Sequence, residues 1–131
     1  LLDALLFRKP HQAVAEILAR TAKSSCGLNL PALTEKAPND RYVVGRMFSP
    51  ACYITDSWPS VLFLVYKYAA APEEALLANT NLGGDNVHRG MVLGALLGLI
   101  NSAALSDWFH QLAQRTEIEQ EINALLANPM Q

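Results

Sequence analysis

Apolar residues recur along most of the chain at helical spacing and almost nowhere at strand spacing. In HQAVAEILARTAK, residues 11–23, Val14, Ile17 and Leu18 share one face while Glu16 and Arg20 lie off it, as in an amphipathic helix. Pro10 stands just ahead, a position where proline suits a helix start. In SVLFLVYKYAA, residues 60–70, almost nothing polar precedes Lys67, so this helix is predicted to be central and covered on most sides. Asp56 or Ser57 is placed to cap it, with Pro59 in its first turn. Pro72 opens another helix, with Glu73 and Glu74 in the first turn, where carboxylates suit the dipole, and it runs to near Asn81. RGMVLGALLGLINSAAL, residues 89–105, is the next helix, and Ser106 or Asp107 caps DWFHQLAQ after it. Thr116 and Glu119 read as a capping box ahead of a stripe of Ile118, Ile122, Leu125 and Leu126, which Asn128 and Pro129 end. Residues 24–56 hold three prolines, two glycines and no sustained period, which predicts a long connection with room for one helical turn. Only Tyr42-Val43-Val44 looks like strand. The pattern predicts an all-α fold.

Composition narrows this to one domain of 131 residues, large enough to bury a core. Hydrophobic residues make up 51% and charged ones 17%, an apolar balance that predicts surfaces covered by more chain or by a partner. A net charge of −2, a pI of 5.9 and scattered lysines and arginines exclude a nucleic-acid binder. Cys26 and Cys52 form neither a disulfide framework nor a metal-ligand spacing, and read as reduced thiols of a cytoplasmic protein. LLDALLFRKP lacks the features of a signal peptide and reads as the tail of a longer helix. The chain is therefore expected to be the C-terminal part of a larger domain. Its longest uncharged run, between Arg89 and Asp107, carries Asn101, Ser102 and three glycines; it reads as a core helix, not a membrane span.

That core helix carries Gly90, Gly94 and Gly98 on one face. Each costs about 1 kcal/mol relative to alanine in a helix interior, so the stripe predicts a neighbouring backbone that approaches closely. The polar chemistry collects just ahead of it, in NLGGDNVHRG, residues 81–90. Gly83 and Gly84 permit conformations closed to other residues and let a ligand approach the main chain. A helix starting near Asn86 presents unpaired N–H groups, a ready anion site. Asp85 is placed either to cap that helix or to bind a cation. Arg89 opposes the helix dipole, which predicts a carboxylate partner or a ligand phosphate. His88 reads as a hydrogen-bonded structural residue or as a ligand or base. Asn79, Thr80 and Asn81 either satisfy the loop backbone or line the same pocket.

NTNLGGDNVHRGMVLGALLGLI resembles the C-terminal signature of the ADP-ribosylglycohydrolase family, in which Gly-Gly-Asp-Thr-Asp-Thr precedes a glycine-spaced helix. The similarity runs back over SWPSVLFLVYKYAAAPEEALLANTN and forward to Trp108 in LSDWFHQL, spanning roughly residues 53–113. It implies a compact orthogonal bundle of several helices around two magnesium ions. It also implies hydrolysis of the bond joining ADP-ribose to a protein or small-molecule acceptor. Matched residue by residue, Asp85 falls on the first aspartate, a metal ligand. Val87 falls on the second aspartate and His88 on the final threonine, so one of three ligands is kept. The family's other metal-binding acids lie in a Thr-Asp-Asp motif that this chain does not contain.

Asp85 and His88 are thus the candidates for catalysis and for Mg²⁺, or another divalent metal that tolerates nitrogen. Gly83, Gly84, Asn86 and Arg89 are the candidates for substrate binding. Two other readings stand beside a divergent hydrolase. One is a catalytically silent ADP-ribose or nucleotide binder; the other is a structural, crystallin-like protein of the same fold. Oligomeric state is left open.

Overall fold

The computed structural model describes residues 1–7, 13–101 and 106–127, and within them α-helices supply all the regular structure beyond one isolated bridge. In chain order they are α1 (Leu2–Leu6), α2 (Val14–Cys26), α3 (Leu30–Lys36), α4 (Asp40–Val43) and α5 (Ile54–Lys67). Then come α6 (Pro72–Leu82), α7 (Asn86–Ile100), α8 (Ser106–His110) and α9 (Arg115–Ala127). The protein is all-α. The continuous apolar run in α5 does what its composition predicts: Pro59 to Val65 are all buried, and α2, α3, α6 and α7 pack around it. Each of Leu62, Phe63, Leu64 and Val65 contributes about 1.5–3 kcal/mol through burial. Helices α6 and α7 form a tight hairpin whose turn is the polar loop.

Residues 24–56 are not the long connection that their composition predicts. Helix α2 runs on to Cys26, and α3 and α4 follow. The residues that read as breakers are start signals: Asn29 Oδ1 accepts from Ala32 N (3.2 Å), Pro31 sits in the first turn of α3, and Asn39 Oδ1 accepts from Tyr42 N (2.8 Å). Tyr42 and Val43 close α4, and only Val44 is strand-like, in a bridge to Phe48. Helix α5 starts at Ile54, earlier than the Asp56 or Ser57 cap implies, which puts Pro59 inside it. Asp56 is engaged elsewhere, accepting from Ser49 N at 3.1 Å.

The C-terminal expectations also change. Ser106 and Asp107 lie within α8, which is one turn long. The capping box does not form, because α9 begins at Arg115 and Glu119 pairs with that arginine (3.1 Å). The stripe of α9 stays uncovered, with Ile122, Leu125 and Leu126 exposed. Pro10, the start of the first amphipathic segment, and Asn128-Pro129 lie outside the described residues. No helix among the described residues is long and apolar enough to cross a membrane.

The glycine stripe of α7 has a different cause from the one its spacing predicts. A Cβ at Gly94 would meet only Leu76 at 4.0 Å, and at Gly98 it would meet nothing within 4 Å. Gly98→Ala is therefore expected to stabilise the fold by about 0.5–1 kcal/mol, because it removes backbone freedom from the unfolded chain without a clash. A urea titration that shows destabilisation would expose a packing partner for this face.

One polar clamp ties α4 to α5. Asp40 accepts from Lys67 Nζ on one oxygen and from Tyr68 Oη (2.6 Å) on the other. Burial pulls the Lys67 ammonium down, but Asp40 and Tyr68 outweigh it, so its pKa stands above the ordinary lysine value. Burial and the Asp40 charge push the Tyr68 phenol up as well. Raised folded-state values contribute stability that is complete below the unfolded pKa and is lost as pH rises through the folded one. Stability is thus expected to decline in the alkaline range above about pH 10, where lysine and tyrosine titrate, and Lys67→Met should flatten that decline in denaturation curves recorded against pH.

Candidate active site

The chain must reverse between α6 and α7 over Gly83, Gly84 and Asp85, and both glycines take positive φ, +69° and +64°. Gly84 needs to be glycine for a second reason. A Cβ there would overlap the Pro50 carbonyl oxygen and lie 2.6 Å from the Pro50 Cβ. Asp85 N donates to that same carbonyl at 2.9 Å, so the segment before α5 is fastened to the turn. The close approach that the sequence suggested for a ligand is made at Gly84 by the protein's own backbone. Gly83, with nothing within 4 Å of its missing Cβ, keeps an open side.

Beneath the turn lies a buried polar knot. Arg89 is 3% exposed, and its Nε donates to Asn79 Oδ1 at 2.6 Å. Its Nη2 donates to Gly83 O at 2.8 Å and Asn79 O at 3.4 Å. No carboxylate is among these hydrogen-bond partners, and Arg89 also lines the cleft beside Asp85 and His88. The guanidinium instead satisfies carbonyls at the C-terminal end of α6, where a cation suits the dipole, which resolves its odd place in the first turn of α7. Burial pushes its pKa down, and the nearby Asp85 charge partly restores it. Asn79 Nδ2 in turn donates to Asn86 O at 2.8 Å, and a Cβ on Gly90 would sit 3.0 Å from that nitrogen. Gly90 thus makes room for the Asn79 amide. Asn86 is drawn into the same knot, donating from Nδ2 to Thr80 O at 3.2 Å.

Asp85 occupies the N-cap position of α7, but its side chain makes no cap hydrogen bond. Its Oδ1 lies 2.6 Å from His88 Nδ1, one turn on. A carboxylate can only accept, so Nδ1 carries the proton, and in the neutral ring Nε2 then keeps its lone pair. The pair stands at the edge of a cleft of about 200 Å³ lined also by Cys52, Ser57, Trp58 and Val92. Asp85 is mostly covered, at 24% side-chain exposure, while the His88 ring is 75% exposed. The sequence marks none of the residues on the α5 side of the cleft as site residues, because the packing of α5 on α7 that brings them there leaves no local pattern.

This donor set does not fit a magnesium centre. Magnesium demands about six oxygen ligands in near-ideal geometry. Among the described residues no three of His, Cys, Asp and Glu come together around one ion position. Asp85 and His88 hold each other, and Val87 is 69% exposed and carries no oxygen on its side chain.

A family model described as ADP-ribosylglycohydrolase matches residues 2–131, well beyond the segment that carries the sequence signature. No curated protein and no solved structure matches the chain.

Proposed function

This chain belongs to the ADP-ribosylglycohydrolase family, and from that premise we propose that it hydrolyses the glycosidic bond between ADP-ribose and an acceptor, on a protein or a small molecule. The observation that supports this reading is the Asp85–His88 contact at the edge of the cleft. The carboxylate fixes the imidazole in one tautomer, so Nε2 acts as a general base toward water. The water oxygen bonds to the anomeric carbon and the bond from that carbon to the acceptor breaks. The proton taken by Nε2 passes to the departing acceptor. Arg89 and Asn79 act from below as positioning residues, holding the loop that carries the pair.

Magnesium carries no step in this reading. An ion bound at 100 times its Kd would stabilise the fold by about 2.7 kcal/mol. Saturating magnesium is expected to move the melting temperature by less than about 1 °C, far below that linkage effect. A rise of several degrees would show a site that the Asp85–His88 contact does not reveal.

A second reading, ADP-ribose binding without turnover, has its own support. The exposed His88 ring leaves bulk water at the base, and open sites gain less from fixed charges. Incubation with N-linked and O-linked ADP-ribosyl peptides separates the two. Release of free ADP-ribose is the hydrolase result, calorimetric binding without release is the second, and neither signal contradicts both.

A further inference from the structure

The cleft at Asp85 holds about 200 Å³, below the roughly 300 Å³ at which small-molecule sites begin, so most of a larger substrate must lie outside it. Trp58 of α5 and Val92 of α7 line this cleft and also line a second groove of about 350 Å³. The two cavities meet at those side chains. The register of α7 sets their order: His88, Met91, Val92, Ala95 and Leu96 follow the i, i+3, i+4, i+7, i+8 spacing and share one face. The groove therefore begins one helical turn, about 5.4 Å, past the histidine.

The chemistry changes across that turn. The cleft carries Asp85, His88 and Arg89. The groove is lined by apolar side chains, Leu2 at the start of α1 among them. Its one polar group is the Trp58 indole N–H, which is committed to Ser25 Oγ at 3.1 Å, so the ring offers only its apolar surface. A diphosphate in this groove would give up its hydration and meet no side-chain donor, an unfavourable transfer for a charged group. That excludes the ADP half of an ADP-ribosyl substrate. What can extend there from a ribosyl ring in the cleft is the acceptor, on the other side of the bond that breaks.

We infer that the groove is the acceptor subsite, and that it selects acceptors with an apolar group of leucine or phenylalanine size beside the modified position. Leu2, Met91 and Val92 are exposed in the free protein, and a group seated among them removes their apolar surface from water. The inference rests on the hydrolase reading for the identity of the substrate; the location and apolar lining of the groove stand apart from it.

The test compares two ADP-ribosylated peptides, identical except for leucine or serine beside the modified residue, together with the same peptides unmodified. The leucine peptide is expected to show a KM about tenfold or more lower, the effect of burying one apolar side chain. The unmodified leucine peptide should bind in calorimetry and the serine one more weakly, with little dependence on salt. Met91→Lys and Leu2→Lys change exposed positions on different helices, and each should erase the leucine preference in KM and in binding. Equal KM for both peptides, with ADP-ribose released, overturns the acceptor subsite and leaves the hydrolase reading standing. Leucine-selective binding without release from either peptide supports the groove and counts against the hydrolase reading alone. Concentration-dependent dimerisation in sedimentation that Met91→Lys abolishes would give this face to a second copy of the chain and overturn the subsite.

Discussion

Gly84→Ala is expected to lower the unfolding free energy by about 3 kcal/mol, a drop of roughly 10 °C in melting temperature for a chain of this size. Two costs combine. Left-handed backbone costs a residue with a Cβ about 1–2 kcal/mol. The new methyl must also displace the Pro50 backbone, which is itself held by Asp85 N, and forced overpacking typically costs about 1–3 kcal/mol. Gly83→Ala meets nothing within 4 Å, but φ +69° with ψ −155° lies in a region essentially confined to glycine. It should lose the conformational part alone, about 1–3 kcal/mol. Thermal and urea denaturation of the two variants check this, and a loss at Gly84 below about 2 kcal/mol would mean that Pro50 gives way freely. Because the displaced segment leads to Cys52, Gly84→Ala should also weaken ligand binding at the cleft, while Gly83→Ala should not.

His88→Gln is expected to slow ADP-ribose release by about 10²–10⁴-fold at saturating substrate, the range supplied by a positioned general base. Substrate affinity should change little, since the lost interaction is made in the transition state. Asp85→Asn should cost a comparable factor for another reason. An amide can present its N–H to Nδ1, which favours the wrong tautomer and puts the proton on Nε2. The stability cost of His88→Gln should be small, because its ring is 75% exposed, whereas Asp85→Asn also removes the charge beside the buried Arg89 guanidinium and should cost more. Rates and melting temperatures measured on the same preparations check both statements. A rate loss that tracks loss of folded protein would assign the pair to structure.

The α6–α7 hairpin was legible in the sequence almost residue by residue. Its signals are local: Pro72 and two acids open α6, two glycines close it, and α7 starts at Asn86. The contact of Asp85 with His88 was not drawn from the sequence, although their i, i+3 spacing places them on one helical turn. The central burial of α5 followed from its unbroken apolar run. Residues 24–56 were misread because Asn29, Pro31 and Asn39 can either break a helix or start one, and only the neighbouring packing decides. Asp56 looked like a cap because its partner, the backbone of Ser49, leaves no trace in residue identity. Arg89 illustrates the same limit at the site. Its position signalled an unusual partner, but carbonyl oxygens belong to every residue and no pattern could point to Gly83 and Asn79. The glycine stripe was read with the wrong cause: Gly90 is crowded by the Asn79 side-chain amide and not by a backbone, Gly98 faces open space, and the close backbone falls on Gly84 in the turn. Contacts across distant segments, such as Pro50 against Gly84, depend on the fold as a whole.

Chemistry at this turn depends on one thing, that the aspartate and the histidine beside it work as a pair on the ADP-ribosyl bond. Single-turnover release of ADP-ribose from a mono-ADP-ribosylated peptide, by wild type, Asp85→Asn, His88→Gln and the double variant, measures this directly. The account predicts release by wild type, a loss of about 10²–10⁴-fold in each single variant, and a double variant scarcely slower than the worse single one. No release by wild type, or single losses that simply multiply in the double variant, would contradict it.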